Sequence, residues 1–270
     1  MLMRPLPLAP VMLVMILAGT VQSADAQDIS AIEKASGCPK CDLRLGELRA
    51  LDIREADFEG AILREADMKE VVLTESNFKN ADLRRTEMER AKLHYSDFSG
   101  ASMRGVDMER ATMIEATFNR ADLRDADLNG TELSGANFER ADMRHASLIR
   151  ASAPNSSFKN AKMDGVDLER VDLTQADFSN ARLRNSDLDR VFARGANFEG
   201  ADLSGVRLSS ADLSDANLKN VDLTGALLRH TRFAGADLTG AKGMDPARIV
   251  GACADENTKL PYGIELKPCS

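Results

Sequence analysis

Tryptophan is absent from the 270 residues, aromatic side chains make up 4% of them, and there are three histidines and four cysteines. A core assembled mainly from large rings is therefore excluded. No glycine-rich phosphate-cradling loop and no metal-ligand spacing occurs. The longest apolar run, from about Leu8 to Gly19, falls short of the roughly 20 residues that span a bilayer. Basic charge is in deficit, with a formal net charge of -8 and a pI near 5.1, which argues against wholesale binding to nucleic acid or anionic lipid. Apolar residues, by contrast, reach 43%, enough for a sizeable core.

The N-terminus has the layout of a secretory signal. Arg4 stands in a short head, the apolar run follows, and Ala24-Asp25-Ala26 gives a small-x-small cleavage site before Gln27. No cysteine there offers a lipid attachment point, and no arginine pair marks the twin-arginine route. Residues 1–26 are read as a signal peptide of Sec type. The mature chain of 244 residues is then periplasmic or secreted and has no stable membrane span.

From Cys41 to Gly240 the chain divides without a slip into 40 units of five residues. The third place is Leu, Ile, Met or Phe in 38 units, Ala153 and Ala193 excepted, and the first place is small in 39, Leu51 excepted. A helix would set apolar residues three and four apart, and a plain strand would alternate them. A strict five fits neither. It reads as small inward, polar outward, large inward, then two polar residues that turn a corner. Such units cannot cover their own apolar faces and must stack, and four sides close a square of twenty residues. The return of Met88-Glu89-Arg90-Ala91 as Met108-Glu109-Arg110-Ala111 then puts the second copy above the first. Phenylalanines at 58, 78, 98, 118, 138, 158, 178 and 198 should stack on one inner wall, as core and not as a binding platform.

The motif A(D/N)LXX appears in ADLRD at 121–125, ANFER at 136–140, ADLSG at 201–205, ANLKN at 216–220 and ADLTG at 236–240. On these residues the chain resembles the pentapeptide-repeat family over residues 41–240. The resemblance implies an all-β fold, a right-handed quadrilateral parallel β-helix, here of about ten coils with short N-terminal and C-terminal helical caps. Residues 27–40 form the N-terminal cap, with Ser30 and Glu33 at capping-box spacing and Gly37 as the stop. Residues 241–270 form the C-terminal cap, with Asp245 as helix cap and Pro246 in the first turn. A local bulge is expected at Ala153-Pro154 and at Phe192-Ala193, since proline removes an N–H from the ladder.

The cysteines fall at the two ends of the rod, too far apart for a bond across it, so Cys38 should pair with Cys41 and Cys253 with Cys269. The rival reading of Cys38-Pro39-Lys40-Cys41 is a thiol-disulfide redox site. A four-cysteine zinc site fails on the same distance, unless two chains meet end to end.

Function must lie on outward columns. Arg44, Arg64, Arg84, Arg104, Arg124, Arg144 and Arg184 share one wall, interrupted by Asp164, with Asp82, Asp122 and Asp142 two residues before three of them. They form a candidate partner-binding stripe for an acidic protein or anionic polymer, or else a self-neutralised ladder. A second, broken column holds Arg90, Arg110, Arg150, Arg170 and Arg190. His94, His145 and His230 stand on different walls or distant coils, so no catalytic constellation forms, and no enzyme, metal or cofactor is expected. The leading expectation is a non-enzymatic exported scaffold or interaction protein, with a homodimer left open. The resemblance also implies an alternative, because some family members inhibit type II topoisomerases by resembling duplex DNA. Export and the arginine column both oppose it.

Overall fold

The structure, a computed structural model, describes residues 29–49 and 51–269. The proposed signal peptide lies outside the described residues.

One unit shows how the sequence makes the coil. In Ala121-Asp122-Leu123-Arg124-Asp125 the alanine and leucine are buried and the polar places face out. Asp122 N–H donates down to the Ala101 carbonyl (3.0 Å) and Leu123 N–H donates up to that of Asp142 (2.7 Å). Asp125 N–H reaches the Arg144 carbonyl above (3.1 Å), and Ala126 N–H closes the corner onto Leu123 (3.2 Å). The remaining donor, Arg124 N–H, is turned outward and meets Asp122 Oδ1 (3.3 Å). Every backbone N–H of the unit thus has a partner. The last bond also explains the Asp or Asn of the second place. Its short side chain accepts from the N–H two residues on, as at Asp57, Asn77, Asp97, Asp107 and Asp127, and so fixes the start of the bend.

The fifth place has positive φ in every described unit from Leu45 to Gly240, which with the corner bond marks type II turns. Glycine and asparagine suit that conformation, yet Arg110, Glu115 and Tyr95 adopt it too. Each such side chain costs about 1–2 kcal/mol. The bonds from the N–H groups of Arg110, Glu115 and Tyr95 to the carbonyls of Asn129, Ser134 and Ile114 in the next coil (2.9 Å each) offset that strain.

Second-place residues pair in parallel with those twenty positions on, making four ladders and hence four walls. The first runs from Asp42 to Lys242, the second from Glu47 to Leu227, the third from Asp52 through Arg232 to Cys253, and the fourth from Gly37 through Asp237 to Lys259. The interior is a single continuous core along the rod. Behind the fourth wall the eight phenylalanines stack with centroids 4.7–5.3 Å apart and planes within 11° of parallel, all fully buried. The ring spacing equals the strand spacing, so each coil contributes one layer.

Three expectations need correction. No bulge forms at Ala153 or Ala193: Glu132, Ser152, Asp172, Phe192 and Asp212 pair in unbroken succession, and Ala153 N–H still reaches the Asp172 carbonyl (2.8 Å). Pro154 is harmless because it occupies a fourth place, whose N–H points outward and never enters the ladder. It also sits at the second turn position, where proline is favoured, just before Asn155 in the left-handed region.

The N-terminal helix α1 spans Ile29–Ala35, so Ser30 lies inside it and does not cap it. Its end is set by Ser36 in the left-handed region and by Gly37. Their N–H groups bond to the carbonyls of Glu33 (3.1 Å) and Ile32 (2.9 Å), a Schellman closure. Gly37 is doubly constrained: its φ is 124°, and a Cβ there would lie 2.2 Å from the Asp57 carbonyl oxygen that pairs with this first rung. Only glycine tolerates both. Ile32 packs onto the open end of the core.

At the other end the helix shrinks to one 3₁₀ turn, Pro246–Arg248, with Asp245 accepting from Ala247 N–H (2.9 Å). The chain continues the coil instead, its carbonyls at Lys242, Arg248, Cys253 and Lys259 accepting from the walls below. Strand β1 (Cys253–Ala254) then takes β2 (Lys267–Pro268) as a parallel neighbour, covering part of the last edge.

Candidate interaction surfaces

All seven arginines of the first wall are ion-paired. Arg44, Arg84, Arg124 and Arg144 each lie side-on to the aspartate two residues earlier, with Nε and Nη2 donating to its two oxygens at 2.5–2.8 Å. Arg64 reaches up to Asp82 (2.7 Å), which it shares with Arg84. Arg104 crosses the corner to Asp125 (3.0 Å) and Arg184 reaches Asp202 (2.5 Å). Asp164, which interrupts the column, is held by Arg182. The hydrogen bond from Arg84 draws the Asp82 carboxyl well below its ordinary range against the opposing effect of burial, and the hydrogen bond from Arg124 lowers that of Asp122.

The second wall is acidic. Lys69 bridges Glu87 and Glu89 (2.8 Å each), and Arg207 holds Asp187 and Asp189 (2.7 and 2.9 Å). Between these clamps burial pushes the Asp107 carboxyl up, aided by the charges of Glu89 and Asp127. On the corner beyond stands the second arginine column, held more loosely: Arg90–Glu70 and Arg110–Glu109 at 3.4 Å, Arg170–Glu169 at 3.5 Å, with only Arg190–Glu169 close at 2.7 Å. Arg150 has no ion pair among the described residues.

The third wall has a different composition. Between Arg54 and Arg194 its fourth-place column reads Thr74, His94, Ile114, Ser134, Pro154, Thr174, without a charge. In its second-place column Lys92 and Glu132 form no ion pair among the described residues. Tyr95 at its edge and Phe192 on its surface are 55% and 56% exposed. The fourth wall carries an amide ladder, in which Asn77 and Asn197 donate to Asp57 and Asp177 (3.1 Å each) and Asn217 donates to Asn197 (3.0 Å).

The three histidines stay apart, with His94 Nδ1 accepting from Ile114 N–H (3.3 Å) in a role confined to the backbone. Among the described residues no group of His, Cys, Asp and Glu could hold a metal ion, and no helix is long and apolar enough to cross a membrane. Cys38 and Cys41 meet as a pair with Cα atoms 5.5 Å apart, as do Cys253 and Cys269 at 4.8 Å.

Sequence reasoning missed one set of residues. Where the small first place is Ser or Thr, the buried hydroxyl in most cases stitches coils together, while those of Thr131 and Ser156 bond to the corner carbonyl of their own coil. Ser96 Oγ accepts from Ser76 N–H (3.1 Å) and donates to the Leu73 carbonyl (2.8 Å), while Thr86, Ser186 and Thr231 donate to carbonyls of the coil below at 2.8 Å. The signal was the residue type itself, since alanine would pack as well and cost no buried hydroxyl.

Four walls of stacked strands around a buried core define a β-solenoid. Residues 52–90, 91–130 and 207–242 match the family model described as Pentapeptide repeats (8 copies), and residues 121–198 match that of the Pentapeptide repeat region. The chain belongs to the pentapeptide repeat family. Among solved structures it is similar to HetL, a pentapeptide repeat protein involved in heterocyst differentiation regulation in the cyanobacterium Nostoc sp. strain PCC 7120, at 27% identity over 87% of this chain and 97% of that one, TM-score 0.32. Full-length QnrB1, a plasmid-mediated fluoroquinolone resistance protein, is 19% identical over 70% of this chain and 94% of its own, TM-score 0.37. A pentapeptide repeat protein from the Arabidopsis thaliana thylakoid lumen is 33% identical over 47% and 74% respectively, TM-score 0.17. No curated protein matches.

Proposed function

We propose that the chain is a non-enzymatic, exported scaffold whose first wall docks an acidic protein or an anionic polymer of the cell envelope. The observation that carries this reading is the side-on pairing of Arg44, Arg84, Arg124 and Arg144. Their aspartates engage Nε and Nη2, which leaves the Nη1 edge to a second anion. A guanidinium already fixed in direction loses little side-chain entropy when a partner arrives. Export rests on the N-terminal signal pattern, and in an oxidising compartment the two cysteine pairs act as structural disulfides that tie down the ends.

Affinity capture of the exported protein from its native envelope, compared with the variant R104E/R124E, tests the proposal. Reversal should abolish capture of the anionic partner while leaving the melting temperature within a few degrees. Undiminished capture would leave the first wall without this role.

A second reading, inhibition of a type II topoisomerase, draws on the acidic second wall and on what the family resemblance implies. A reporter fused after the first thirty residues that stayed in the cytoplasm would favour it and remove the exported scaffold. A third, thiol-disulfide exchange at Cys38 and Cys41, requires that native thiol labelling find these two residues reactive.

A further inference from the structure

We infer that the third wall is a self-complementary surface, on which two copies pack face to face and antiparallel about a twofold axis at Thr112 and Ile114. The argument is independent of the first wall. Lys92, Glu132 and Arg150 have no ion pair among the described residues, as Arg120, Lys159 and Lys162 on other walls have none, but the first three lie on or beside one wall and carry both signs there. Tyr95 is a second anomaly. A bulky ring in the left-handed region is strained where glycine or asparagine would not be, and this one is exposed, so it recovers little by packing within its own chain.

Both anomalies resolve under one symmetry operation. A twofold axis lying in the plane between two walls, along the strands, keeps each column opposite itself and reverses the order of coils. Centred on the coil of Thr112 and Ile114, it sets residues one coil below against those one coil above. Lys92 then faces Glu132 of the other copy, and Tyr95 faces Gly135, where the missing side chain opens a surface notch of about 420 Å³ lined by Ile114, Ser134 and Asn155. Two coils out, Glu70 faces the unpaired Arg150. Each of these contacts occurs twice. At the axis Ile114 meets Ile114, an apolar centre with charge around it, and Tyr95 is of the type that anchors interfaces.

Like charges meet only at the solvent-exposed margins, Glu115 on one corner and Arg110 on the other, where water and salt screen them. The matched surface covers about five coils, or roughly 24 Å of rod at strand spacing, the size of a reversible pair and not an obligate one. The self-association should therefore depend on concentration.

The test is sedimentation equilibrium of the purified protein over a wide concentration range, alongside its variants. Wild type should be a monomer–dimer mixture. K92E should weaken the dimer at least about tenfold, and K92E/E132K should restore it, since the exchange regenerates the same pairs. T112C should give a covalent dimer on mild oxidation, because a residue on the axis meets itself, whereas E132C should not. Circular dichroism melting of each variant verifies folding. A monomer at all concentrations overturns the inference, as does K92E/E132K no better than K92E. A dimer linked through E132C and not T112C overturns the register, and dependence on an added second protein overturns the choice of partner.

Discussion

The first and third walls are built on the same backbone ladder, with the same N–H groups donating up, down and outward, and differ only in what the outward places carry. On the first, arginines and aspartates alternate within a coil or between adjacent coils and satisfy one another. On the third, the middle coils hold few charges, with Lys92 and Glu132 two coils apart and without an ion pair among the described residues, and ion pairs return toward its ends at Arg54–Glu75 and Arg194–Asp215. Ionic surface ladders are thus no requirement of the fold. They are a choice made wall by wall, which is why surface composition carries information about partners here while interior composition does not.

The interior should accordingly dominate stability whichever wall it underlies. Phe118→Ala removes one ring from the middle of a stack and should cost about 3–5 kcal/mol, read by denaturant unfolding. A loss below about 1 kcal/mol would mean that the rings are not packed as a column. Next in size is Ser96→Ala at the corner of the third wall. It leaves Ser76 N–H and the Leu73 carbonyl without their shared hydroxyl. The loss should be about 1–3 kcal/mol. Alanine already fills the same place one and two coils on, where Ala116 and Ala136 close the corner onto the Met113 (3.1 Å) and Leu133 (2.9 Å) carbonyls.

Acid should separate the walls themselves. Asp82 and Asp122 have carboxyls lowered from the ordinary value of 3.8, chiefly by the hydrogen bonds from Arg84 and Arg124. Their contribution is fully present above that value and is lost as pH falls below it through the folded values, because the unfolded chain then binds protons that the fold refuses. Asp82→Asn should flatten the fall in melting temperature below about pH 4. Asp107 on the second wall has the opposite sign. Its raised carboxyl penalises the fold once pH exceeds the ordinary value, so Asp107→Asn should raise the melting temperature slightly at neutral pH and have no effect in acid.

The smallest expected effect lies at Pro154. Replacement by alanine keeps the turn and the outward N–H does no work in the ladder, so a loss of about 0.4–1 kcal/mol from unfolded-state entropy is expected, measurable in the same unfolding experiment. A larger loss would place that N–H in the sheet after all.

The twenty-residue coil and the phenylalanine column were legible in the sequence because each place of the five has a separate physical duty, and 38 large third places leave little room for another register. What was not legible depends on third dimensions that the period does not encode. Ser30 and Glu33 have capping-box spacing, yet the helix starts at Ile29 and is governed from its other end by Ser36 and Gly37. Pro154 looks like a ladder breaker until the fourth-place N–H is seen to point away. Among surface residues the arginine column could be read, but not whether each guanidinium would turn to the aspartate of its own coil, as Arg124 does, or to the coil above, as Arg184 does. The long C-terminal segment offered a proline and a cap that suit a helix. The unmet carbonyl and N–H groups of the last coil drew it into a further turn of the ladder instead.

Excising residues 101–120 tests most directly whether the chain is a stack of interchangeable twenty-residue layers. Removal of one whole layer should yield a protein that still melts cooperatively, within a few degrees of the parent, while excision of 101–118 should destroy the cooperative transition by throwing every later wall out of register. Equal melting of the two deletions, or collapse of both, would contradict the layered rod.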